Sequence, residues 1–134
     1  MASRFPIIVN SSSNSLQEIP ASDHIVFDSA AGNITALSDA STIAVDFSDS
    51  NNFSITLDGN YTLGNPTNVV AGQSGFISIT QDSTGGRTLA YSSNWSFASG
   101  SAPTLTVGAG KTDVLAYYAR TTTDLVSDVI LDVS

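Results

Sequence analysis

The sequence has 134 residues, 41% of them hydrophobic and only 12% charged, enough apolar chain for one ordinary core without disulfide or metal support. Twelve acidic residues against four basic ones give a formal net charge of −8, which repels phosphate backbones and excludes a nucleic-acid partner. Cysteine is absent, so disulfides, thiolate metal sites and cysteine nucleophiles are excluded together.

The opening MASRFPIIVN holds a short apolar stretch broken by Pro6, too brief for a signal-peptide core. No apolar run approaches the roughly eighteen residues of a spanning helix, so a soluble chain with no membrane partner is expected. Arg4–Val9 reads as a short strand, and Asn10–Ser15 as a serine- and asparagine-rich turn. Leu16–Ile19 pairs back as a second strand until Pro20 stops it. Ala30-Ala31-Gly32 reads as a joint, which makes residues 1–32 an N-terminal hairpin arm and residues 33–134 the main domain. A two-stranded hairpin is marginal alone, so the arm must lean on its own domain or on another subunit. The apolar side chains that would make that contact are Phe5, Ile7, Ile8, Val9, Leu16 and Ile19, with Arg4 and Pro6 beside them.

Beyond the joint, apolar residues recur with period two, the signature of strands with one face on a core. Ile43, Val45 and Phe47 form one such set, and Phe53, Ile55 and Leu57 another. Ile77 with Ile79, Trp95 with Phe97, Leu105 with Val107, and Val129 with Leu131 and Val133 follow, and Leu115 joins the core. Tyr117 and Tyr118 are adjacent, so one points inward and the other outward. Asp58-Gly59-Asn60, Ser83–Gly86, Gly108–Gly110 and Thr121–Asp124 separate these runs and read as tight turns, the first two as hairpin turns. Strong helix formers are scarce, with one Glu, one Lys and one Met. The pattern predicts an all-β domain, an antiparallel β-sandwich or jelly-roll-like barrel.

Sites of chemistry are few. His24 is the sole histidine, and Asp23 beside it on a strand would point to the opposite face. No serine sits in a Gly-x-Ser-x-Gly elbow. Asp46 with Asp49, and Asp124 with Asp128 and Asp132, lack the alternating oxygen ligands around a glycine that a calcium loop needs, and read as solvated positions. Gly72, Gly75, Gly85 and Gly86 open no helix, so they read as turn formers rather than phosphate loops. The five Asn-x-Ser/Thr triplets follow from composition. A sugar platform would draw on Tyr91, Tyr117, Tyr118, Trp95 and Phe97, but Trp95 and Phe97 are written as a core strand. Asp82 and Arg87 bracket a turn and are placed to pair across it. These readings give no catalytic residue, no cofactor and no metal.

The stretch GQSGFISITQDSTGGRTLAYSSNWSFASG (Gly72–Gly100) and the following APTLTVGAGKTDVLAYYA resemble a β-rich module of virion structural proteins in tailed bacteriophages, particularly those of cyanobacteria and other marine bacteria. The opening SRFPIIVNSSSNSLQEIPASD is similar to segments that attach such modules to the particle. The resemblance implies a non-enzymatic virion protein. Its main implied role is a capsid decoration, or cement, protein on the outer head surface, a homotrimer bound to the major capsid protein through the arm. A tail fibre or baseplate component, or a carbohydrate-binding module for host recognition, is the alternative.

Overall fold

In the computed structural model the described residues are the strand backbones Ile7–Asn10 and Ser15–Glu18 together with residues 31–133. The chain divides into two units, residues 1–31 and 32–134. The first contains β1 (Ile7–Asn10) and β2 (Ser15–Glu18), an antiparallel pair in which Val9 faces Leu16 and Ile8 faces Gln17. Of the expected contact residues, Ile7, Ile8, Val9 and Leu16 stand on this pair; Arg4, Phe5, Pro6 and Ile19 lie outside the described residues, as does His24.

The second unit is all-β, as the period-two pattern requires. It comprises β3 (Ile34–Ala36), β4 (Thr42–Ile43), β5 (Asn52–Leu57), β6 (Tyr61–Leu63), β7 (Ser74–Gln81), β8 (Leu89–Tyr91), β9 (Trp95–Phe97), β10 (Thr112–Thr121) and β11 (Asp124–Ile130), with one 3-10 turn at Ala98–Gly100.

Strand direction departs from the antiparallel expectation. β3, β5 and β7 lie side by side in parallel, and β4, β6 and β8 do the same in a second sheet. Successive strands alternate between the two sheets, so the chain winds as a coil and each strand lies beside the one a turn earlier. Parallel neighbours need a crossover between them, and here a strand of the other sheet supplies it. Antiparallel pairing enters only at the end of the unit, where β10 runs against β7 and β11 against β10. β9 then pairs in parallel with β11, completing the order β3-β5-β7-β10-β11-β9.

The turns explain the difference. Asp58-Gly59-Asn60 joins β5 to β6, which belong to different sheets, so it is a corner and not a hairpin. Ser83–Gly86 makes the corner from β7 to β8, with Gly85 at φ +70° and Gly86 at φ +74°. A Cβ on Gly85 would also lie 2.6 Å from the Val107 carbonyl oxygen. Corners and hairpins use the same residue types, because both need a sharp change of direction and tolerance of positive φ.

Both sheets feed one core. Phe53, Ile55, Ile77, Ile79, Trp95, Leu105 and Leu115 are buried as expected, together with Ile43, Val45, Phe47 and Leu57; Phe97 is half-buried at the margin. Phe47 stacks on Tyr117 with ring centroids 4.8 Å apart, and Trp95 meets both rings edge-on. Val107, Leu131 and Val133 are exposed, against expectation. Val107 lies in an irregular stretch and β11 stops at Ile130, so the two-residue period has no strand to act through there.

Candidate functional site

Two surfaces of the second unit stand out, and the strand phase sets both. On β7, β10 and β11 the inward positions carry Ile77, Ile79, Leu115, Tyr117, Leu125 and Val129. The alternate positions face outward and mix apolar with polar residues, Phe76 standing between Ser74 and Ser78 on β7 and Val126 and Ile130 flanking Asp128 on β11. Phe76 pairs in register with Ala116 on one side and Asn52 on the other, and Asn52 pairs with Ile34. Val114 faces Ile130, and Tyr118 faces Val126. Ile34, Phe76, Tyr118, Val126 and Ile130 are all 45–66% exposed. A depression of about 500 Å³ lined by Ile34, Phe53, Phe76 and Val114 lies in this face. Its charged residues are Asp128, opposite Ala116, and the Arg120–Asp124 ion pair near one end.

The second surface is a groove of about 400 Å³ between β8 and residues 100–107. Tyr91, Phe97, Leu89, Pro103, Val107 and Arg87 line it, and Trp95 reaches it from the core. Tyr91 and Phe97 meet edge to face with centroids 4.7 Å apart. The Tyr91 hydroxyl is buried without a hydrogen-bond partner. Burial pushes its pKa up, and the negative charge of Asp113 adds to the shift. β8 ends its sheet, so its second edge faces away from β6 with no strand beside it among those described.

The expected Asp82–Arg87 pair is present, with Arg87 Nη2 2.7 Å from Asp82 Oδ2. It braces a corner between sheets rather than a hairpin. Asp82 Oδ1 also accepts the backbone N–H groups of Thr84 and Gly85 at 3.0 and 2.8 Å. The Arg87 hydrogen bonds, with those two N–H groups helping, hold the Asp82 carboxyl down at about 2. Gln81, only 3% exposed, fastens the same corner: its side chain donates to the Arg87 carbonyl at 2.9 Å and accepts the Arg87 N–H at 2.8 Å.

The other candidates are dispersed. Asp46 accepts from Asn68 and Ser48, which lowers its pKa, Asn68 contributing most. Asp124 pairs with Arg120 and accepts from Ser96, and Asp132 pairs with Lys111. Among the described residues no three His, Asp or Glu side chains converge. Tyr117 points inward and donates to the Asn51 carbonyl at 2.6 Å, whereas Tyr118 points outward. Trp95 is 5% exposed and its indole N–H donates to the Gly64 carbonyl at 2.8 Å, so it packs rather than presenting a platform.

Gln81 and Asp113, neither of them among the residues expected from the sequence, are both buried. Asp113 accepts the N–H groups of Thr106 and Asp132 at 2.7 and 2.8 Å and so ties two irregular segments to β10. The signal was available: both occupy the inward phase of strands whose other inward residues are apolar, and a polar residue there must find partners.

The model of a family described as "Putative phage tail fibre C-terminal domain" matches residues 26–118, from before β3 to Tyr118 on β10. No curated protein and no solved structure matches the chain. The match defines the class, a structural module of the phage virion. The chain belongs to the phage tail fibre C-terminal domain family. No helix of the described residues is long and apolar enough to cross a membrane.

Proposed function

We propose that this chain is a non-enzymatic component of a tail fibre, using its coil as a rigid scaffold for contact surfaces. The family match over residues 26–118 carries the reading, because it spans the coil and names the tail. The head-decoration role implied by the earlier resemblance draws no support from that match, and the tail alternative fits it better. On the tail reading, the partner of the N-terminal segment is a neighbouring fibre element rather than the major capsid protein. Arg4, Phe5, Pro6, Ile7, Ile8, Val9, Leu16 and Ile19 remain the proposed joint, since an extended apolar segment can add to an open sheet edge.

Quantitation of the chain in purified particles, with immunogold labelling, tests the assignment. A tail component gives a few to a few dozen copies per particle and label at the tail. Hundreds of copies with label over the head would restore the decoration role.

One observation favours a carbohydrate-binding role within the same fibre. The groove presents the Tyr91–Phe97 edge-to-face pair beside Arg87, an apolar ring surface next to a hydrogen-bond donor, as sugar binding requires. Binding of the isolated protein to host cells, lost in Phe97→Ala and kept in Tyr118→Ala, would place recognition in the groove.

A further inference from the structure

We propose that the Asp58-Gly59 link is a site of spontaneous backbone isomerisation, and that Tyr61 holds the reaction back while the protein is folded. In the sequence it is the one place where glycine follows an aspartate or an asparagine. Glycine carries no side chain, so its amide nitrogen has an unhindered path to the preceding carboxyl carbon. Attack of the Gly59 nitrogen on the protonated Asp58 carboxyl forms the N–Cγ bond. The bond from Cγ to the hydroxyl oxygen breaks, and that hydroxyl leaves with the amide proton as water. The product is a cyclic imide, and water then adds to one of its two carbonyl carbons. Opening at Cγ restores aspartate. Opening at the backbone carbonyl leaves the chain running through Cγ, as isoaspartate. One water leaves and one returns, and nothing is oxidised or reduced.

The fold leaves this dipeptide open to the reaction. It forms the corner between β5 and β6, and Asp58 is exposed. Among the described residues no backbone carbonyl accepts the Gly59 N–H, so the nitrogen is not engaged there. Asp82-Ser83, at the next corner, is held differently: the Asp82 carboxylate pairs with Arg87 and accepts the N–H groups of Thr84 and Gly85. At Asp58 the restraint is Tyr61. Its hydroxyl donates to Asp58 Oδ1, and its ring lies so close over Gly59 that a Cβ there would sit 2.9 Å from the ring's Cζ. Cyclisation must turn the carboxyl away from that hydroxyl, so this hydrogen bond has to break first. Tyr61 is itself fixed, because its N–H donates to the Thr88 carbonyl at 3.0 Å, while the Thr88 N–H donates to Asn60 Oδ1 at 3.0 Å. Isomerisation would add one backbone carbon between β5 and the strand that these two bonds position.

Peptide mapping with electron-transfer fragmentation, which separates isoaspartate from aspartate at each position, tests the inference. The full chain is held at about 37 °C and about pH 6 for several weeks, native and in guanidinium chloride. In denaturant, position 58 should gain isoaspartate faster than any other aspartate, and Gly59→Ala should suppress that gain. The native wild type should gain it more slowly than the denatured chain. Tyr61→Phe keeps the ring and loses the hydroxyl; while native by circular dichroism it should react at least about threefold faster than the native wild type, a modest share of what a hydrogen bond to a charged group is worth. In denaturant the two should react alike. Should Tyr61→Phe misfold, Tyr61→Leu reads the same loss. The proposal is overturned if position 58 is no more reactive than other aspartates in denaturant, or if the native wild type reacts as fast as the denatured chain. A folded Tyr61 variant that reacts no faster than the native wild type overturns it equally.

Discussion

Replacing Trp95 by alanine removes the largest side chain in the core and tests whether it packs or binds. The indole is 5% exposed, meets Phe47 at 6.4 Å and Tyr117 at 6.1 Å between ring centroids, and donates to the Gly64 carbonyl at 2.8 Å. A buried tryptophan removes about 150–250 Å² from water, so at about 25 cal/mol per Å² the transfer contribution is about 4–6 kcal/mol. Alanine keeps part of that burial, while the truncation leaves a cavity and an unpaired Gly64 carbonyl. An expected cost of about 3–5 kcal/mol follows, in the range of large aromatic truncations, lowering the melting temperature by about 15 °C or more. Trp95→Phe keeps a ring but loses the indole N–H, and should cost about 1–2 kcal/mol. Urea unfolding followed by far-ultraviolet circular dichroism is the suitable assay, because the chain has a single tryptophan and the substitution removes that fluorophore. A loss below about 1 kcal/mol in Trp95→Ala, or equal losses in the two variants, would refute the packing role given to this side chain.

The remaining predictions follow from close approaches and titrating groups. Gly75→Ala should destabilise the domain by about 2–3 kcal/mol in the same urea assay, because its Cβ would collide with the Asn51 carbonyl oxygen that also accepts from Tyr117. Asp82 is held at about 2, below its ordinary value of 3.8, so its contribution is present above pH 4 and is lost as pH falls toward 2. Asp82→Asn should therefore flatten the acid side of the melting-temperature profile; an unchanged profile counts against the corner brace. Tyr61 and Tyr117 are raised to about 12, by the Asp58 hydrogen bond and by burial respectively, and Tyr91 is raised by burial. Their contribution is present below about pH 10 and is lost as pH rises through 12, so absorbance at 295 nm should show these three protonated at about pH 11 in the folded protein and ionised in urea.

Much of the core was legible because burial is a local property of a strand. Ile77 and Ile79, or Phe53 and Ile55, declare their face through neighbours two positions away. Pairing direction is not local. Nothing in Asp58-Gly59-Asn60 tells whether the chain turns back beside β5 or crosses to another sheet, because that depends on what β5 meets about two dozen residues later. The coil left no repeat to find: Asn52 of β5 pairs with Ile34, 18 residues earlier, while Phe76 of β7 pairs with Asn52, 24 residues earlier. The candidate surfaces were partly legible. One of Tyr117 and Tyr118 was expected outward and the fold makes it Tyr118, but the exposed apolar side chains Ile34, Phe76 and Val126 come onto one sheet face only when distant segments are paired. The groove needed the β8 edge and residues 100–107 placed side by side.

The reversal of strand direction at β10 gives the coil a polarity. In the six-stranded sheet a further parallel turn would have to hydrogen-bond to the exposed edge of β7, and β10 already occupies that edge from the opposite direction. Winding therefore stops there. At the other end β3 and β4 are the outermost strands of their sheets among the described residues, only three and two residues long. In the six-stranded sheet, parallel winding can therefore be continued only beside β3, as a thread is extended behind its knot.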